Sequence, residues 1–121
     1  MVLVDTSVWI DHLHTNETAL NDLLRNDQVL AHPFIVGELA CGNLRNRQAI
    51  LRYLSKLPTS LIATHQEALV IIERHKLMAR GIGYIDVHLL AATALTDTAK
   101  LWTKDKRLAK VALDLDLGYE L

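Results

Sequence analysis

The chain has 121 residues, half of them hydrophobic, with positive mean hydropathy and a formal net charge of -1. That is enough apolar material for the core of one domain and excludes a disordered polypeptide, while the near-neutral charge provides no whole-molecule field for nucleic acid, so a polyanion must be drawn by a local patch. The single cysteine, Cys41, excludes an internal disulfide and a cysteine-rich zinc site. No basic leader and no run of the ~20 apolar residues that span a bilayer is present, so a soluble, cytoplasmic protein of one domain, residues 1–121, is expected.

Val2, Leu3 and Val4 form an apolar run ended by Asp5, with Thr6 and Ser7 behind it as natural helix caps. They predict a buried strand that delivers a carboxylate to its carboxyl end, the edge at which open α/β sheets bind ligands. Simple helix capping by Asp5 is the competing reading, and the arrival of other acids at the same edge decides between them. Ser7 to His14 reads as a short helix with Trp9, Ile10 and Leu13 on one face. Trp9 and Leu13 hint at an interface, although packing onto a core is the commoner use of such a face. His12 and His14 diverge by about 200° on a helix and are read as solvated surface rather than a metal pair. Asn16 to Asn26 continues as a second helix, and Gln28 to Ala31 as a brief strand.

His32-Pro33 opens a helix that is apolar nearly all round. Glu38, the only charged side chain from Ala31 through Leu44, shares a face with Phe34, Ile35 and Cys41, which predicts a buried carboxylate. Such a group needs a partner, and a cation in a cleft would serve. The alternative is a half-exposed helix with Glu38 facing water. Gly37 and Gly42 permit close approach of a ligand or a neighbouring backbone. Asn46 to Leu57 is a helix with a basic face, Arg45, Arg47, Arg52 and Lys56, stopped by Pro58. Leu61 to Thr64 is predicted as a third strand, and His65 to Arg80 as a long amphipathic helix ended by Gly81 in the left-handed cap position. His75 reads as packed or surface histidine.

Two glycines, Gly81 and Gly83, lead to Asp86, which opens an almost unbroken aliphatic helix through Leu95. Asp86 either neutralises that helix's positive end or adds an acid to a cluster. Lys100 to Thr103 is a fourth strand, Lys104 to Arg107 the turn and helix start behind it, and Leu108 to Leu115 the last helix. Asp105 again follows a buried strand, and Thr103 is placed to orient a ligand or a water. Leu117 to Leu121 adds a short edge strand. This alternation implies an α/β fold, a three-layer α/β/α sandwich around a central, mostly parallel sheet. Asp5, Asp86 and Asp105 fall at connections that such a fold places on one edge, and Glu38 joins them from the helix after the second strand.

Together, VLVDTSVWID, the lone Glu38 in FIVGELACG, GIGYIDVHLLAAT and LWTKDKRLA resemble the PIN-domain family from Val2 to about Ala112, and the compact length resembles the VapC toxins of bacterial toxin-antitoxin pairs. The resemblance implies an endoribonuclease dependent on Mg²⁺ or Mn²⁺, a homodimer, and inhibition by a cognate VapB-like antitoxin whose tail enters the groove. Its acidic positions fall on Asp5, Glu38, Asp86 and Asp105, with Asp5 and Asp86 the most direct metal ligands and Asp105 the least. The residues agree with that chemistry on physical grounds. Two carboxylates ~4 Å apart repel by about 4 kcal/mol at an effective dielectric of 20, a conflict that a divalent cation removes. All-oxygen ligation favours Mg²⁺ or Mn²⁺ over zinc. Such an ion lowers the pKa of a bound water and steadies the leaving oxygen of a phosphodiester. Ser7 and Thr103 support the acids, and Lys104, Lys106 and Arg107, with Arg45 and Arg47 as further candidates, form the expected phosphate-attracting rim. Ser7 stands where an aspartyl phosphotransferase needs a second aspartate, and Thr64-His65 supplies no phospho-acceptor of the response-regulator kind. No glycine-rich lysine loop for a nucleotide occurs. A non-catalytic RNA- or protein-binding domain is the remaining alternative.

Overall fold

The computed structural model describes residues 1–121 and orders the chain as β1 (Val2–Val4), α1 (Thr6–Thr15), α2 (Thr18–Arg25), β2 (Val29–Leu30), α3 (Pro33–Cys41), α4 (Arg47–Ser55), α5 (His65–His75), α6 (Tyr84–Leu95), β3 (Lys100–Trp102) and α7 (Lys106–Asp114). The strands form a parallel sheet in the order β2-β1-β3, with Leu3 opposite Leu30 and Leu101. Every residue of β1 is buried, as expected of a central parallel strand covered on both faces. Seven consecutive buried residues, Val87 to Thr93, run through α6. A helix apolar on all sides belongs inside a fold, and this one joins the buried β1 and β3 in a common core. The expected α/β/α arrangement around a parallel sheet is present, and it sets the carboxyl ends of β1 and β3 side by side.

The edges of the sheet differ from the sequence reading. Leu61 to Thr64 is not a strand. Pairing occurs earlier, where Ala31 bridges Thr59 in parallel, with Ala31 N donating to Pro58 O (2.8 Å) and Ser60 N to Ala31 O (3.0 Å). Leu61 and Ile62 then lie 58% and 55% exposed, so the apolar run that suggests a buried strand is on the surface. At the other edge, Leu117 to Leu121 contributes one parallel bridge, Leu101 to Gly118, rather than a strand. The α5 helix starts as expected, with Thr64 Oγ1 accepting from Glu67 N while Thr64 N donates to Glu67 Oε1, the reciprocal capping arrangement. It ends five residues early, at His75. Lys76, not Gly81, takes the left-handed cap (φ 52°), because burial of Leu77 turns the chain inward and its N–H closes on Ile72 O (3.0 Å). The α6 helix begins at Tyr84, so Asp86 is its third residue rather than its first. No helix is long and apolar enough to cross a membrane.

Candidate active site

Asp5 stands at the carboxyl end of β1 in the N-cap position of α1, yet its side chain makes no capping hydrogen bond. Its Oδ2 instead accepts from two hydroxyls, Ser7 Oγ (3.0 Å) and Thr103 Oγ1 (2.7 Å). Those hydroxyls in turn accept from the loop behind β3, Ser7 Oγ from Lys104 N (3.0 Å) and Thr103 Oγ1 from Asp105 N (3.1 Å). Each hydroxyl thus donates to the acid and accepts from the backbone, which ties the ends of two adjacent parallel strands together through one buried carboxylate. Ser7 and Thr103 are the two hydroxyls that hold Asp5.

Backbone N–H groups hold two of the other acids, and a hydroxyl holds the third. Asp105 caps α7, its Oδ1 accepting from Arg107 N (2.9 Å) and Leu108 N (3.0 Å). Asp86 Oδ2 accepts from Gly83 N (3.2 Å). Glu38 Oε1 accepts from Thr6 Oγ1 (2.8 Å), a positioning contact that sequence reasoning misses because threonine after a strand reads as a cap. Glu38 is exposed, which corrects the expectation of a buried carboxylate: Ile35 and Leu39 take the core side of α3, and Glu38 looks outward toward α1. In all four residues one carboxylate oxygen is fixed by a protein donor and the second receives none. No lysine, arginine or histidine pairs with any of them.

Asp86 feels the charge of the other three acids. The Asp86 carboxyl is held above its ordinary range, first by partial burial, then by the negative charges of Asp5, Asp105 and Glu38, against the opposing pull of the Gly83 N–H. No three of these side chains are drawn up at metal-ligating spacing. The donor set nevertheless suits a hard divalent cation: oxygen only, mutually repelling, oriented, and without a protein cation to neutralise it.

The expected basic rim is thinner than the sequence suggests. Lys104 Nζ pairs with Asp11 Oδ2 (2.7 Å) and Glu17 Oε2 (2.8 Å), which raise its pKa and clip the β3–α7 turn to α1 and α2. Lys106 and Arg107 form no ion pair, and the Arg107 side chain lies over Gly81 so closely that a Cβ there would meet its Cδ at 2.6 Å. Arg47 donates twice to Ala40 O, tying α4 to the end of α3.

An aromatic cluster that the sequence reading does not contain shares α3 with Glu38 and α6 with Asp86. His32 is fully buried, its Nδ1 caps α3 by accepting from Phe34 N (3.0 Å), and its Nε2 has no partner. Burial, then the neighbouring His88, lowers its pKa to about 4, so the ring is neutral near pH 7. His88 is buried too, with Nδ1 unpartnered, and Phe34 and Tyr84 meet its ring at near right angles with centroids 5.0 and 4.6 Å away. His65 Nδ1 hydrogen-bonds the Tyr84 hydroxyl at 2.5 Å.

None of the four acids lines the largest groove, a concavity of about 750 Å³ between α1, α2 and α4. Trp9 forms its floor and is buried rather than exposed, whereas Ile10, Leu13 and Tyr53 present apolar surface on its walls. His12, expected at the solvated surface, is half-buried there with its Nδ1 sealed from water.

The PIN domain family model matches residues 2–113. Ribonuclease VapC32 of Mycobacterium tuberculosis, in strains H37Rv and CDC 1551, is 44% identical over 108 residues, covering 89% of this chain and 87% of the relative. The chain belongs to the PIN-domain family, in its VapC-type group.

Proposed function

We propose that this protein is the ribonuclease toxin of a toxin-antitoxin pair, cutting RNA phosphodiesters with a divalent metal ion held at Asp5, Glu38 and Asp86, with Asp105 beside them. The observation that carries this reading is that four neighbouring carboxylates each keep one oxygen unengaged and have no cationic partner in the fold. Mg²⁺ or Mn²⁺ at such oxygens supplies Lewis-acid polarisation of the phosphate and a more acidic water. The protein's own part is orientation. Ser7 and Thr103 aim Asp5, Thr6 aims Glu38, and the first turn of α6 aims Asp86. A carboxylate of the cluster accepts the proton of the attacking water. Lys106 and Arg107 draw the phosphate backbone, and Lys104 secures the loop that carries Asp105.

Membership in this group also supports two partners. The groove over Trp9, with its exposed apolar walls, fits an apolar segment of a VapB-like antitoxin. Leu61, Ile62, Leu69 and Val70, all exposed, offer a face for a second copy of the chain. The deciding experiment is cleavage of a mixed RNA pool by purified protein in Mg²⁺, in Mn²⁺ and in EDTA, beside an Asp5→Asn, Asp86→Asn double variant. Metal-dependent cutting lost in EDTA and in the variant is expected. A folded protein that cuts nothing, and that takes up no divalent ion by titration calorimetry, would overturn the assignment in favour of a non-catalytic binding domain.

A further inference from the structure

The aromatic cluster shares its helices with the acids. Phe34 lies one turn before Glu38 on α3, about 6 Å along the axis, and Tyr84 is in the same first turn of α6 as Asp86. At 100° per residue Tyr84 and His88 leave α6 together, and Asp86 leaves about 160° away, so the rings and the acids flank the amino end of this helix from two sides. The residue between them is Gly83, where a Cβ would meet nothing within 4 Å, which makes the passage across the helix end open. Phe34 and Tyr84 are 37% and 44% exposed while His88 beneath them is 4% exposed, so two water-facing rings stand on a buried one. The Tyr84 ring is further steadied by His65 at its hydroxyl. Rigid, half-exposed aromatic rings beside a phosphate-handling site are the means by which proteins hold unpaired bases, because every base has a stacking face. With Lys104 paired to two acids and a net charge of -1, backbone attraction near the acids falls to Lys106 and Arg107, and contacts to bases would add to it.

We propose that Phe34 and Tyr84, standing on His88, form a stacking slot for one unpaired nucleobase of a single-stranded RNA that crosses the amino end of α6 at Gly83. The inference rests on the ribonuclease reading for its substrate class, and it adds that the enzyme takes a base out of the strand next to the cut.

The test uses a short single-stranded RNA of mixed sequence, intact or with single abasic positions, and a version carrying 2-aminopurine. The variant is Phe34→Leu, Tyr84→Leu, which keeps apolar cover over His88 but removes both rings, with circular dichroism as the check on folding. Wild-type protein is expected to lose about tenfold in kcat/KM at one abasic position beside the cut, matching the scale of a lost base stack. The variant is expected to lose the same factor on the intact strand and nothing further on the abasic one, the signature of a shared contact. Tyr84→Phe keeps the ring and loses only its hydroxyl contact with His65, so it should retain the abasic effect that the double variant loses. Equal cleavage by variant and wild type, or an abasic effect that persists in the variant, would overturn the slot. If the wild type cuts nothing, the ribonuclease reading fails on its own, and fluorescence decides the slot separately: quenching of 2-aminopurine by wild type but not by the variant supports it, and no quenching by either refutes it.

Discussion

Replacing Asp86 by asparagine separates the stability of this fold from its chemistry, because the two should move in opposite directions. The asparagine side chain still presents an oxygen to Gly83 N, so the hydrogen bond at the start of α6 survives. What disappears is one of four negative charges that no lysine or arginine offsets. For charges roughly one Debye length apart, ~10 Å, the repulsion is about 1.7 kcal/mol at an effective dielectric of 20, and screening reduces it to about 0.6. Three such pairs are relieved, giving about 2 kcal/mol, and loss of the favourable charge at a helix amino end returns about 0.5. The net gain of about 1.5 kcal/mol raises Tm by roughly 6 °C for a chain of this size. Differential scanning fluorimetry in EDTA measures it. In saturating Mg²⁺ the order reverses: wild type gains about 2.7 kcal/mol once the ion reaches a hundred times its Kd, and the variant gains far less. Asp86→Asn also loses RNA cleavage. A variant that melts at or below wild type in EDTA, or that Mg²⁺ stabilises as much as wild type, would show that the acids do not form a coupled cation site.

Three further outcomes follow from single residues. His32 is neutral in the fold with its pKa lowered to about 4, so the unfolded chain binds the extra proton between that value and 6.5, and stability falls as pH drops through this window by up to about 3 kcal/mol. In His32→Asn, which keeps an acceptor for Phe34 N, urea unfolding at successive pH values should show a much flatter slope, the remainder being that of His12 and His88, whose pKa values burial also lowers, less the opposite slope of Asp86, whose pKa is raised. Gly81→Ala forces a residue with a Cβ to φ +80° and should cost about 1–2 kcal/mol in urea unfolding while the Arg107 side chain swings aside, and an unchanged midpoint would refute the left-handed conformation. Replacing Lys106 and Arg107 together by alanine should reduce the salt slope of RNA binding by about 1.4, whereas Lys104→Ala should leave it unchanged, since its ammonium is already paired. A lower slope for Lys104→Ala alone would return that residue to the rim.

The parts of the fold that are readable from sequence are those where burial and period agree. The β1 and β3 runs and the aliphatic α6 can only be interior, and they are the elements that position Asp5, Asp105 and Asp86. Leu61 to Thr64 misleads because a short apolar run looks the same whether it lies in a sheet or on the surface, and it is the preceding Pro58 and Ser60 that bond to Ala31. The length of α5 escapes a local reading because the inward pull of Leu77 is a tertiary effect that glycine signals do not carry. Glu38 falls on the other side of its helix from the one expected, since α3 is apolar almost all round and its pattern does not say which stripe meets the core. Lys104 reads as free because Asp11 and Glu17 approach it from elements 87 or more positions away in the chain.

The choice between capping and catalysis, which the sequence poses for each acid, rests on treating a carboxylate as a single acceptor. It has two oxygens. At Asp105 one oxygen takes two N–H groups of α7, and at Asp86 one oxygen takes Gly83 N, so capping is real in both cases and is also what fixes the direction of the second oxygen. Asp5 reaches the same result by another route: it occupies the cap position without capping, and two hydroxyls perform the orienting instead. On the proposed reading, a local structural role and a role at the site are parts of one arrangement. The consequence is asymmetric under substitution. Asparagine retains an orienting oxygen at Asp86 and Asp105 and removes the charge, so it should spare the fold and damage the chemistry. At Asp5 the carboxylate accepts two hydroxyl donors that also fasten Lys104 N and Asp105 N, so Asp5→Ala should loosen the junction of β1 and β3 as well as the site, and Asp5→Asn, which keeps one acceptor, should loosen it less.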